Sequence, residues 1–224
     1  MKLYFHPVST TSRPILLLAA DEKIALDHEI VDLFSGAHLA PAYTSLNPSQ
    51  QVPMLDDDGF RLTESSAILK YLAEKSGSAT YPRDLKARAR VNERMDWLNT
   101  GLYRDLGYGF IYAQCLPNYK AADAGVQSAN LGAARARASR WLTILDNDIL
   151  GKHAWMCGDA LTIADYLGVC MLTLGEVTKL DYSPWRNVSR WIAAMKARPN
   201  WGPVNEAFYA HFVGGFAAQD FVTL

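Results

Sequence analysis

With 224 residues, half of them apolar and a fifth charged, the chain can form one large or two small domains, each able to bury a core. A net charge of −1 offers no electrostatic footprint for nucleic acid or for an anionic membrane surface. The longest apolar run, Ile15 to Ala20, is far shorter than the roughly 20 residues a membrane span requires, and it follows Arg13-Pro14 too closely to read as a signal peptide. Cys115, Cys157 and Cys170 form neither a C-x-x-C pair nor a metal cluster, and their odd number argues against a disulfide framework. A reducing cytoplasm and no metal are the expectations.

In chain order, Lys2 to Phe5 alternates as a short strand that Pro7 ends. Ser12 to Ala20 is apolar at helical spacing, with Pro14 tolerated in the first turn and Ser12 placed to cap it. His28 to Val31 reads as a second strand, and the polar stretch from Ser35 to Ser45 leads into a short helix around Pro41 to Leu46. Pro53 to Asp56 and Phe60 to Leu62, joined by Asp57-Asp58-Gly59, predict a hairpin with an Asp-Gly turn. Ser65 to Lys75 is an amphipathic helix with Ile68, Leu69 and Leu72 on one face. The order is βαβ followed by ββα, hence an α/β unit with a mixed sheet.

From Gly77 to Asp84 periodicity is lost, which places a linker at 78–85 between a first domain at 1–77 and an all-helical second domain at 86–224. Asp84 is the expected N-cap of a long helix carrying Val91, Met95, Trp97 and Leu98. Gly101, Gly107 and Gly109 then weaken the helix and indicate a bend or a close approach. A second long helix is expected from Asp123 to Leu150. Thr162-Ile163-Ala164-Asp165 has the form of a capping box, giving Asp165 a structural role ahead of an apolar helix to about Val177. Ser183-Pro184 predicts a further helix start, and Arg198-Pro199 its end.

The segment from Leu46 to Ile68, LNPSQQVPMLDDDGFRLTESSAI, carries the chemistry. A proline at a strand head, here Pro53, leaves the N–H and C=O of the preceding Val52 free to pair with an extended, peptide-like ligand. The polar step Glu64-Ser65-Ser66 at a helix start presents unpaired N–H groups and the positive dipole end, which suits a carboxylate. Together they describe a site for a small peptide bearing its own carboxylate.

These motifs resemble the glutathione transferase superfamily, over nearly the whole chain: Gln51-Val52-Pro53 with Glu64-Ser65, then GDALTIADY at Gly158 to Tyr166. The resemblance implies a thioredoxin-like N-terminal domain, an all-α C-terminal domain, a homodimer, and a cis bond at Pro53. It implies that Val52 and Pro53 hold the cysteinyl part of glutathione, Ser65 and Glu64 its γ-glutamyl end, and Gln51 and His38 its glycyl end. HPVSTTSR is similar to the serine-type classes (theta-, delta- and phi-like), which points to Ser9 as the donor to the sulfur, with Thr10 as the competitor. The bacterial class with a catalytic cysteine would carry it at Thr10, and Tyr4 lies too early in the strand for the tyrosine-type classes. The bland alternative is that Ser9 and Thr10 merely cap the helix.

A free thiol has a pKa of about 8.5, and each unit of lowering requires about 1.36 kcal/mol of preference for the thiolate. One hydrogen bond to a charged group supplies roughly 1.5–3 kcal/mol, so one hydroxyl beside a helix start is a sufficient device. Glutathione is therefore the implied co-substrate, with a small apolar electrophile taken up between Tyr108 and Tyr112, residues that could equally be core. Reduction of a peroxide or disulfide, dehalogenation at the same site, and ligand binding without catalysis are the alternatives.

Overall fold

The computed structural model describes residues 1–224. Its four strands, β1 (Lys2–Phe5), β2 (Asp27–Ile30), β3 (Met54–Asp57) and β4 (Phe60–Thr63), form one sheet in the order β2-β1-β3-β4. β1 runs parallel to β2 and antiparallel to β3, and β3 is antiparallel to β4. The parallel pair needs a crossover, supplied by helix α1 (Arg13–Asp21). A four-residue turn of helix, α2 (Pro41–Thr44), precedes β3, and α3 (Ser65–Ser76) follows β4. The expected βαβ-ββα order is thus present, with strand ends shifted by a residue. Asp58 and Gly59 make the hairpin turn with φ of +52° and +93°, the positive pair that a two-residue type I′ turn requires. Asp57, expected in the turn, instead closes β3, where it is buried and accepts hydrogen bonds from Tyr71 and Lys75.

Register decides where the loops meet. Tyr4 pairs with Met54, so the chain leaving β1 runs beside the chain entering β3. Met54 in turn pairs with Thr63, which brings Glu64 and Ser65 to the same end of the sheet. Phe5 pairs with Ile30 in the parallel ladder, so the segment after β2 begins there too.

The remainder is helical. α4 (Leu85–Trp97) starts at Asp84, whose carboxylate accepts the Ala87 N–H at 2.9 Å. The helix then widens into π-helical turns at Leu98–Leu102 and Arg104–Tyr112 and ends as α5 (Ala113–Cys115). The indicated close approach is there: a Cβ on Gly107 would lie 2.5 Å from the Tyr103 ring, and one on Gly101 3.1 Å from Trp141. α6 (Ala124–Ile144) is capped by Asp123 and continues into a π-helical turn to Ile149. α7 (Ile163–Thr173) is buried along its whole length and passes into a 3₁₀ turn ending at Thr178. α8 (Arg186–Lys196) begins later than Ser183, because the Asp181 carboxylate takes the Ser183 N–H and hydroxyl at 2.8 and 2.6 Å and closes a separate turn first. α9 (Trp201–Ala207) continues as a π-helical turn from Phe208 to Val213. No helix is long and apolar enough to cross a membrane.

One apolar core joins the sheet side to the helices, from Leu3, Ile15 and Leu69 to Leu106, Tyr166 and Trp191. Arg13 lies inside it, fully buried, with no carboxylate partner. Its guanidinium donates to the Asn205 side chain and the Cys170 carbonyl, each at 2.8 Å, and sits 3.7 Å over the Phe208 ring. An ion so placed is tolerable only with such partners, and they fix the start of α1 against α7 and α9.

Candidate active site

The end of the sheet and the π-helical segment enclose a cleft of about 730 Å³. Ser9, Thr10, His38, Gln51, Val52, Pro53, Glu64 and Ser65 lie on its walls, as do Tyr108 and Tyr112. Every site residue expected from the sequence is therefore brought to one cavity.

The Val52–Pro53 bond is cis. Two groups that sequence reasoning passed over hold the turn before it: the Gln51 carbonyl accepts the Tyr43 hydroxyl at 2.6 Å and the Asn47 amide at 2.8 Å. Asn47 also accepts the Ser49 N–H at 3.0 Å, and the Asn47-Pro48 pair was the one sequence signal for such a turn. The expectation that both Val52 backbone groups are free is half met. No protein group accepts from its N–H, but its carbonyl accepts the Thr11 hydroxyl at 3.1 Å.

Glu64 has φ of +65° and ψ of +116°, outside the regions ordinary residues favour. That kink turns the chain from β4 into α3, so the first N–H groups of α3 open toward the cleft; the first intrahelical bond is Ile68 N–H to the Glu64 carbonyl. Ser65 is buried at this helix start, while Glu64 and Gln51 are exposed at the cleft wall. His38 is half-buried in a 3₁₀ turn after Gly36, and its Nδ1 is buried without a partner.

The hydroxyl run departs from expectation at Ser12. Ser12 is fully buried and caps nothing, and its Oγ has no partner. Ser9 does the capping: its Oγ accepts the Ser12 N–H at 3.2 Å, and its carbonyl accepts the N–H of Ser12 and of Arg13. The turn before α1 is tighter than a sequence reading can resolve, so the cap falls three residues earlier. Ser9 Oγ also lies 3.1 Å from Thr11 Oγ1. Thr10 Oγ1 faces the helical wall, 2.9 Å from the Tyr112 hydroxyl, which is itself 2.9 Å from that of Tyr103.

That wall is a tyrosine cluster. Tyr108 stacks tilted or edge-on against Tyr103, Tyr112 and Tyr119 at 4.9 to 5.7 Å between centroids. Burial, with the neighbouring phenols, pushes the Tyr108 hydroxyl up to about 12 and that of Tyr103 well above its ordinary value; Tyr112 is raised chiefly by burial. All three stay protonated, hence donors, at neutral pH. Tyr119 was not singled out in the sequence, because it lies outside the helical run that carries the others.

Two family models match the chain, described as glutathione S-transferase, N-terminal domain, at residues 1–74, and glutathione S-transferase, C-terminal domain, at residues 114–199. Human glutathione S-transferase theta-1 is 33% identical over 174 residues, covering 77% of this chain and 72% of that protein. Among solved structures, a delta-class glutathione transferase of Nilaparvata lugens is similar with a TM-score of 0.81 and 35% identity, covering 97% of this chain and 98% of that one. An epsilon-class glutathione S-transferase of the housefly, Musca domestica, is similar with a TM-score of 0.81 and 26% identity, covering 99% of each chain.

Proposed function

The chain belongs to the glutathione S-transferase family and is a glutathione transferase, and from that premise we propose how it works. The cleft binds glutathione in extended form, with its cysteinyl part against Val52 and Pro53. Glu64 meets the ammonium and Ser65, with the first N–H groups of α3, the carboxylate of the γ-glutamyl end. Gln51 and His38 hold the glycyl end. Ser9, with Thr10 beside it, stabilises the thiolate, which attacks a small apolar electrophile seated against Tyr108 and Tyr112. The observation that carries this is the convergence, at one end of the sheet, of a cis-proline turn, an open helix start and a run of hydroxyls. Glutathione is a co-substrate here, and no metal is assigned.

Retention on glutathione-agarose, together with thioether formation from a small apolar electrophile, is the expected result. Release of oxidised glutathione instead would assign the site to peroxide or disulfide reduction, and retention without any turnover to ligand binding alone. Glu64→Gln keeps the strained backbone but removes the charge facing the ammonium, a contact remote from the sulfur. KM for glutathione should rise by roughly tenfold or more with kcat held. A collapsed kcat with parent KM would contradict the assignment.

The same proposal divides the chain at 78–85, consistent with the left-handed Gly77 that ends α3 at φ of +68° and with the absence of a helix or strand before Leu85. It also places the protein in the cytoplasm, the compartment that suits its three free cysteines, Cys115, Cys157 and Cys170. Homodimerisation is expected, and it would cover apolar side chains such as Leu85 and Phe60, now 79% and 53% exposed. Sedimentation at micromolar concentration should give twice the 24.9 kDa of the chain, and a value near 24.9 kDa would rule the dimer out.

A further inference from the structure

The cleft hydroxyls can be accounted for proton by proton, since each has one proton to give and two lone pairs. Thr11 gives its proton to the Val52 carbonyl, so in its contact with Ser9 it accepts, and the Ser9 proton is engaged by Thr11. The second chain, Tyr103–Tyr112–Thr10, has three protons for two hydrogen bonds, each of 2.9 Å. One proton is left over, on Tyr103, on Thr10, or on Tyr112 where that hydroxyl accepts from both neighbours. Burial does not choose among them, since all three residues line the cleft and Thr10 and Tyr103 are 3% and 5% exposed. Donor strength does: phenols are the stronger donors and aliphatic alcohols the stronger acceptors, so Tyr112 gives its proton to Thr10 and accepts that of Tyr103. The chain then runs from Tyr103 through Tyr112 to Thr10, whose proton is the one left for the cleft, and bonds so aligned polarise one another.

We propose that Thr10 is a second donor to the glutathione sulfur, beside Ser9, and that Tyr112 and Tyr103 are positioning residues that aim its hydroxyl. The assignment rests on glutathione occupying this cleft as described above. The chain is not a proton wire, because it ends at Tyr103 with no base beyond it and with a phenol that burial keeps neutral. The thiol proton leaves by way of the open cleft. A fixed hydroxyl differs from a free one in losing no rotor entropy when the thiolate arrives.

The test is the ultraviolet titration of the bound thiolate, with glutathione affinity measured alongside, in Thr10→Val, Thr10→Ser, Tyr112→Phe, Tyr103→Phe and the double variant Thr10→Val/Tyr103→Phe. Thr10→Val should raise the thiol pKa by about one unit, a tenfold loss of thiolate stabilisation. Thr10→Ser should titrate like the parent. Tyr112→Phe and Tyr103→Phe should shift it in the same direction by less, with affinity nearly unchanged. The double variant should match Thr10→Val alone, because Tyr103 acts only through Thr10. Should Tyr103→Phe lose the fold, Tyr112→Phe combined with Thr10→Val carries the same non-additivity. Phenylalanine variants that titrate like the parent, a double shift equal to the sum of the singles, or a Thr10→Ser shift as large as that of Thr10→Val would each overturn the proposal. A parent that binds glutathione with a lowered thiol pKa keeps the proposed function even then; a parent that binds none overturns both.

Discussion

Ser9→Ala is expected to raise the pKa of the bound glutathione thiol by about one to two units and to lower kcat at neutral pH, with little change in glutathione affinity. Loss of one donor to a thiolate removes roughly 1.5–3 kcal/mol, and 1.36 kcal/mol corresponds to one unit. The same substitution deletes a cap, because Ser9 Oγ accepts the Ser12 N–H at 3.2 Å. A stability loss of about 1 kcal/mol should therefore accompany the titration shift. The two roles use different parts of the hydroxyl: the cap takes a lone pair, and the sulfur contact requires the proton to turn from Thr11 Oγ1, 3.1 Å away, to the thiolate. They are also separable: Ser9→Gly, which a cap position tolerates with a loss of only a few tenths of a kcal/mol, should keep the fold and show the same titration shift. A Ser9→Ala protein that titrates like the parent while losing stability would reduce Ser9 to a cap. If Thr10→Val alone then carries the shift, the sulfur contact belongs wholly to Thr10.

Asp165→Ala is expected to lower stability by about 4 kcal/mol or more, a large part of the 5–15 kcal/mol that holds most folded chains. The Asp165 carboxylate is fully buried and takes four hydrogen bonds. Oδ1 accepts the Met156 N–H and the Trp191 indole N–H, each at 2.9 Å. Oδ2 accepts the Thr162 N–H at 2.9 Å and its hydroxyl at 3.0 Å. Alanine strands three buried N–H donors, each costing roughly 1–3 kcal/mol, and removes the cap of α7. The damage should reach the cleft, because α7 packs against α1 and its Cys170 carbonyl holds Arg13. Denaturant unfolding measures it, and a loss below 1 kcal/mol would show that the loop before α7 relaxes to satisfy those donors. Asp165→Asn, which keeps the shape but turns one acceptor into a donor, should fall between.

Elements governed by neighbours in sequence were legible. The Asp58-Gly59 turn, the cap at Asp84, the helix start at Asp123, the Asp165 side of the α7 box and the apolar face of α3 all follow from local spacing, since turns and caps depend on groups within four residues. Val52, Pro53, Glu64 and Ser65 were legible as cleft residues from local motifs, a proline at a strand head and a polar step at a helix start, and Ser9, Thr10, His38, Gln51, Tyr108 and Tyr112 through the family resemblance. What those residues touch was not. Nothing near Thr10 in sequence names Tyr112, which lies 102 residues away, and nothing near Arg13 names Asn205, 192 residues away. Local spacing put the cap at Ser12, whereas Ser9 provides it, because the choice turns on the backbone geometry of the turn between β1 and α1. Local patterning determined which elements form and which side chains stand at their ends. Only tertiary packing decided how the hydroxyl protons are shared and how a buried cation is tolerated, because those energies arise between elements that the sequence keeps far apart.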